Sequence, residues 1–217
     1  MIYTAKKVIH KILINGSTTK DIWSKAEVAE LKNYFGNYPN PFPEVKVKIA
    51  YDDEALYLLF EVHDQYVKAV HTGYQADVWK DSCVEFFFTP GENRRFGYFN
   101  LEINCSGHAL FQFWENGVVT EISKKDFGRI EIYHTLPKII EEEIVSPLTW
   151  FVEYRLPVEI LKKYTRVTKP EPGKKWRINL YKCADETSHP HWLMWAKIDN
   201  DKPNFHLPEY FGELNFE

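Results

Sequence analysis

Between Ser82 and Cys105, apolar and polar side chains alternate with period two on both sides of a Pro90-Gly91-Glu92-Asn93 turn. That pattern points to an antiparallel strand pair, because successive residues of a strand face opposite ways. Val84, Phe86 and Phe88 then share one face with Leu101, Ile103 and Cys105 of the next strand. Glu85, Phe87, Asn100, Glu102 and Asn104 share the other. The first face has the composition of a core. The second sets carboxylates and amides beside an indole, Trp79, at the point where the chain enters the strand. Such a surface suits a ligand that is polar but has one flat apolar side, as sugars do.

The rest of the chain repeats this theme of short alternating segments. Strands are expected at about 6–14, 45–51, 55–64, 82–89, 96–105, 107–114, 129–136, 139–145, 149–156, 175–184, 191–197 and 211–216. Turn-forming residues separate them, among them Asn15-Gly16, Asp52-Asp53, Ser106-Gly107 and Asn116-Gly117. Two helical pieces are expected. One runs over 23–34, where Trp23, Ala26, Val28 and Leu31 partly follow a 3.6-residue period; the other is a single turn over 157–163 opened by Pro157. The run Tyr38-Pro39-Asn40-Pro41-Phe42-Pro43 cannot be a central strand. Many strands with one or two short helices predict a mainly β protein, an antiparallel sandwich or barrel around one core, and no linker divides residues 1–217.

Composition narrows the function. Aromatic residues make up 16% of the chain, which favours strands and supplies a large core. The net charge of -4 argues against nucleic acid or an anionic membrane as partner. The one basic stretch, Lys162 to Arg177, also holds Pro170, Pro172 and Gly173 and reads as a solvated loop. No apolar run approaches the roughly 20 residues of a membrane span. Cys83, Cys105 and Cys183 are odd in number and without motif spacing, so reduced thiols are expected. The first sixteen residues contain no charged segment followed by a long apolar run, so no signal peptide is read there. As it stands the sequence suits the cytoplasm; a removed leader would suit export.

The chemistry-bearing residues fit binding better than catalysis. Aromatic faces cover the C–H patch of a pyranose, and carboxylates and amides pair with its hydroxyls. Asn179 and Tyr181 alternate against Ile178 and Leu180 and so face away from the core. Trp192 and Trp195 are three apart, so at least one is expected in the core, with Trp195 kept as a rim aromatic. Cys183, His189 and His191 lack a fourth ligand in any zinc spacing, and Asp199-Asn200-Asp201 lacks the rest of a calcium loop. No metal is therefore assigned. No nucleophile elbow, phosphate loop or zinc-protease motif is present. A glycosidase needs two carboxylates about 5–9.5 Å apart across a cleft. Glu85 and Glu102 could be that close, but on an open sheet face.

Five segments in order carry a resemblance over nearly the whole chain. They are Val78 to Phe87, Tyr98 to Gly107, Ala50 to Leu58, Val152 to Pro157 and Phe205 to Leu214. In these the sequence resembles carbohydrate-binding module family 9, of the stand-alone bacterial type. The resemblance implies one domain over 1–217 with an immunoglobulin-like, DOMON-like β-sandwich. It implies non-catalytic binding of a sugar or oligosaccharide chain end, in polysaccharide utilisation, with carbohydrate as the partner. Trp79 matches the first of two clamping tryptophans, Glu85 the carboxylate six residues on, and Asn104 the amide. Glu102 falls where the family's binders place an arginine, and Phe205-His206 where the second tryptophan is expected. Lys182 matches a polar contact, although alternation puts it on the core face. The expected carbohydrate site is thus Trp79, Glu85, Glu102, Asn104, Lys182, Trp195 and His206, with no catalytic residue. No cofactor is expected, though the family is compatible with a structural Ca²⁺. Two alternatives stay open: a glycoside hydrolase using Glu85 and Glu102, or an accessory domain without a ligand.

Overall fold

The computed structural model describes all of residues 1–217. Sixteen strands account for most of the regular structure. In chain order they are β1 (Ile2–Lys7), β2 (Ala29–Glu30), β3 (Asn33–Tyr34), β4 (Glu44–Tyr51), β5 (Ala55–Asp64) and β6 (Val67–Ala69). Then come β7 (Cys83–Thr89), β8 (Tyr98–Asn104), β9 (Ala109–Glu115), β10 (Val118–Glu121) and β11 (Glu131–His134). β12 (Ile140–Ile144), β13 (Leu148–Pro157), β14 (Lys175–Cys183), β15 (Trp192–Met194) and β16 (Gly212–Phe216) complete the set. Three helices of four or five residues join them: α1 (Asp21–Lys25), α2 (Lys124–Phe127) and α3 (Val158–Leu161). No helix is long and apolar enough to cross a membrane.

The strands form two layers. One runs β10-β9-β8-β7-β14-β16, with β15 beside β14; the other runs β4-β5-β13-β11. Almost all pairings are antiparallel, as expected, and β1 is the exception. Its residues Ile2 to Ala5 run parallel to β16 in the first layer, and Lys6 and Lys7 run parallel to β4 in the second. It turns the corner between the sheets. The inward faces meet in one cluster that joins Val84, Phe86, Phe88, Leu101, Ile103 and Cys105 to Val47, Ile49, Leu58, Phe60, Val152 and Tyr154. Both faces of the hairpin therefore fall as the alternation predicts, with Glu85 paired to Glu102 and Phe87 to Asn100.

Two expected elements differ. The strand expected at 6–14 lies at Ile2–Lys7 and ends where its partner edges end. Beyond it the chain crosses the outer face of β4 and β5, where Ile12 packs with Trp23, Tyr57 and Leu59 in a separate cluster. The helix expected at 23–34 shrinks to Asp21–Lys25. Its apolar residues serve different cores: Trp23 and Ala26 join the outer cluster, whereas Ala29 and Leu31 enter the main one. Ala29 and Glu30 pair with β4, and Asn33 and Tyr34 pair with β15. The fully buried Glu153 holds this outer segment. Its carboxylate accepts from the Asn15 and Gly16 amides at 3.0 and 2.7 Å and from Trp23 Nε1 at 3.0 Å, and it pairs with Lys20.

Candidate functional site

On the outer face of the β9-β8-β7-β14 layer, the side chains that point away from the core line a cleft of about 710 Å³. Its floor follows from register. Glu85 on β7 stands directly opposite Glu102 on β8 and Tyr181 on β14. The next strand continues the floor with Leu110, Gln112 and Trp114 opposite Glu102, Asn100 and Tyr98. Trp192 on β15 stands opposite Cys183 on the same face. Walls come from two connections. The 3₁₀ turn Val78–Lys80 buries Val78 and leaves Trp79 36% exposed at the rim. The segment before β16 brings Asn204, Phe205 and His206 over the floor. Phe205 stacks on Tyr181 with ring centroids 4.0 Å apart, and His206 Nδ1 shares a 2.9 Å hydrogen bond with the Tyr98 hydroxyl.

The two floor carboxyls are buried, Glu85 at 2% and Glu102 at 4% exposure. Glu85 Oε1 accepts from the Cys183 thiol at 2.9 Å, and Glu102 Oε1 from Asn100 Nδ2 at 2.8 Å. In each carboxyl the other oxygen, Oε2, has no partner. Burial raises both above the usual carboxylate range. Glu102 reaches about 7, the Asn100 hydrogen bond opposing the rise; Glu85 is pushed further by Cys183 and by Glu102 itself. Asn100 also accepts from Trp114 Nε1 at 3.0 Å, so one amide positions both an acid and an indole. Asp185 accepts from Trp192 Nε1 at 2.8 Å, and burial raises its carboxyl as well. Burial lowers His206 to about 4, which keeps the ring neutral near pH 7.

Of the residues singled out in the sequence, Trp79, Glu85, Glu102 and His206 border this one cleft. The other three do not. Asn104 shares the face of Glu102, but the loop before β7 covers it. Its Nδ2 donates to Asp81 Oδ2 at 2.8 Å and to the His71 carbonyl at 3.0 Å, and its Oδ1 accepts from the Ser106 and His108 amides. Two donors and two lone pairs are all that an amide has. Lys182 points into the sandwich, fully buried, where its Nζ pairs with Asp64 Oδ2 at 2.6 Å and meets His191. His191 is held down to about 3 by burial and by Lys182. Trp195 lies in the main core at 2% exposure, and a Cβ on Gly212 would come within 2.7 Å of its ring.

Sequence reasoning missed Trp114, Gln112, Asp77 and Asp185; of Trp192 and Trp195 one is in the core as expected, but it is Trp195, and Trp192 takes the rim. Parity carried the signal for most of these. Trp114 is an even step from Leu110 and Gln112 on a strand next to β8, and Trp192 and Trp195, an odd step apart, face opposite ways.

One trio could reach a metal ion. The ligand atoms of Cys83, Glu85 and Cys183 lie within 4.8 Å of one another. Burial holds Cys83 at about 12 and Cys183 well above its ordinary value, so both are thiols rather than the thiolates a metal takes. Asp199 and Asp201 belong to no such cluster.

Comparison with known proteins adds relatives to this geometry. A family model described as carbohydrate-binding family 9 matches residues 21–216. A solved structure from Bacteroides uniformis, described as a candidate carbohydrate-binding protein, is similar with 30% identity and a TM-score of 0.89, over 100% of this chain and 99% of that one. A family 9 carbohydrate-binding module from Caldicellulosiruptor kristjanssonii, solved with glucose, superposes with a TM-score of 0.68 at 18% identity, covering 100% and 96% of the two chains. A structure of such a module from the same organism with cellotriose gives 0.69 at 17%, covering 100% and 94%. An Arthroderma benhamiae protein described as extracellular is 22% identical over 182 residues, 81% of this chain and 80% of its own length.

Proposed function

Because the chain belongs to carbohydrate-binding family 9, we propose that the cleft over β7, β8 and β14 binds a sugar or the end of an oligosaccharide without acting on it, in the service of polysaccharide use. The observation that carries this reading is the pairing of aromatic walls with a polar floor. Trp79, Trp114, Trp192 and Phe205 border the same 710 Å³ space whose floor holds Glu85 and Glu102. Aromatic faces cover the C–H side of a pyranose, and the floor oxygens without partners take its hydroxyl hydrogens. Glucose and cellotriose in the modules from Caldicellulosiruptor kristjanssonii support a ligand of this size and type.

Isothermal titration with glucose, cellobiose and cellotriose tests the site. Trp79 stands at the rim, so Trp79→Ala leaves the core intact and removes a stacking face worth about 1–2 kcal/mol, roughly tenfold in affinity. No binding by the wild type, or undiminished binding by the variant, sinks the assignment.

The raised carboxyl of Glu102 favours a second reading, glycoside hydrolysis with Glu102 as acid. That chemistry places its two carboxyls on opposite sides of the sugar ring. Here both lie side by side on neighbouring strands of one floor, which supports binding over cleavage. Release of reducing sugar by the wild type and not by Glu102→Gln would reverse that order.

A further inference from the structure

We propose that the cleft selects sugars that carry a protonated amino group, with the ammonium held between Glu85 and Glu102 and the ring against the tryptophan walls. The proposal rests on the reading of the cleft as a carbohydrate site and names the ligand class.

The charge of the lining is one-sided. Asp77, Glu85, Glu102 and Asp185 line the cleft, and no lysine or arginine does. Lys80, beside Trp79 in sequence, pairs with Asp77 and Glu186 at 3.2 and 3.5 Å and lies 5.3 Å from the Trp79 ring centroid, so it offsets Asp77 and leaves Glu85, Glu102 and Asp185 as the charges without a cation. The hydrogen-bond capacity of the floor leans the same way. The indole N–H groups of Trp114 and Trp192 are already given to Asn100 and Asp185. Donors remain at the walls, in the Trp79 indole and the Gln112 and Asn204 amides, but what the floor itself offers is acceptor, the two buried Oε2 atoms of Glu85 and Glu102. A neutral hydroxyl brings one hydrogen and also lone pairs that need donors. An ammonium brings three hydrogens and no lone pair. Placed between two carboxyls it satisfies both orphaned oxygens with charge-assisted bonds, and the aromatic walls add attraction for a cation.

The protonation of the floor agrees with this. Burial and mutual repulsion keep the Glu85–Glu102 pair partly protonated without a ligand. An entering ammonium favours the ionised forms, so binding releases a proton, and affinity rises as pH climbs from about 5 to 7. Above about 8 the amine itself loses its charge and affinity falls. Asp77, Asp185, Tyr181, the neutral His206 ring and the Cys83 and Cys183 thiols are the other titratable groups that face the pair.

Isothermal titration at pH 7 compares glucose with glucosamine, N-acetylglucosamine and 6-amino-6-deoxyglucose, and cellobiose with the β-1,4-linked glucosamine disaccharide. The expected result is that at least one amine binds about tenfold or more tightly than its neutral parent. Its binding heat should depend on the ionisation enthalpy of the buffer, as proton release requires. Glu102→Gln and Glu85→Gln, each checked for folding by thermal denaturation, should collapse that ratio to near one. If neutral sugars bind and no amine gains over its parent, the proposal is overturned while the carbohydrate reading stands. If no sugar of either kind binds, the carbohydrate reading fails and takes the proposal with it. If ethanolamine or Zn²⁺ binds more tightly than the amino sugars, the floor selects a cation and not a sugar, which also overturns it.

Discussion

Replacing Lys182 by methionine removes one half of a buried ion pair. Lys182 is 0% exposed and Asp64 4%, and Nζ lies 2.6 Å from Oδ2. At an effective dielectric of about 20 their attraction is about 6 kcal/mol. Most of that is offset by the cost of taking two charges out of water, several kcal/mol for each. Burial would by itself raise the Asp64 carboxyl; Lys182 and His191 outweigh it and hold the group below its ordinary value. The substituted thioether side chain would fill similar space but leave Asp64 charged and unpaired, or force it to take a proton. We expect Lys182→Met to lose about 3–5 kcal/mol in urea denaturation at pH 7. The double variant Lys182→Met with Asp64→Leu should recover most of the loss, because no buried charge remains. In the folded protein, sugar affinity of the single variant should change less than twofold, roughly 0.4 kcal/mol. A loss below about 1 kcal/mol, or a double variant no better than the single, refutes the reasoning about the buried pair. A large drop in affinity without a drop in stability would return Lys182 to the binding site.

Other perturbations bear on the floor and on the outer segment. Glu102 holds its proton up to about 7 in the folded protein, against 4.5 as its ordinary value. The native state therefore binds more protons than the unfolded one in that interval, and stability falls as pH rises through it, by about 3 kcal/mol in all. Glu102→Gln should flatten that slope and be the more stable protein at pH 8, as urea midpoints at pH 5 and 8 would show. His206 runs the other way: its pKa is lowered to about 4, so stability is lost as pH falls from about 6.5 towards 4. The loss should reach about 3 kcal/mol, and His206→Gln should make it shallower. Glu153→Ala strands the Asn15, Gly16 and Trp23 N–H groups and the Lys20 ammonium. It should cost about 3 kcal/mol and open residues 8–28 to proteolysis before the rest of the chain.

Where one physical rule governed a segment, it was legible in advance. The two faces of β7 and β8 follow from strict alternation, and parity alone placed Lys182 inward although the family match suggested otherwise. Alternation says which face a residue takes but not what covers that face. Asn104 points to the side of Glu102, yet Asp81 and His71 close over it from a loop 23 and 33 residues earlier in the chain. The apolar spacing of 23–34 failed for a related reason, since helical periodicity assumes one burial site and Trp23 and Leu31 serve two. Trp114 was readable once β9 had been placed beside β8. Asp77 and Asp185, on irregular connections, offered no periodicity to read.

The position of β1 has a consequence for how this sandwich is reached. Ile2 pairs with Glu213 and Ala5 with Phe216, and the next two residues pair with β4. The Lys7 amide donates to the Glu217 carbonyl, and the Glu217 amide to that of Ala5. One short ribbon thus latches the two layers, and its two halves lie some two hundred positions apart along the chain. Until both are present and docked, β4 and β14 each expose an open edge ready to accept a foreign strand. Contacts of such long range form late and slowly. The seam between the layers therefore closes only once β1 and β16 are docked together.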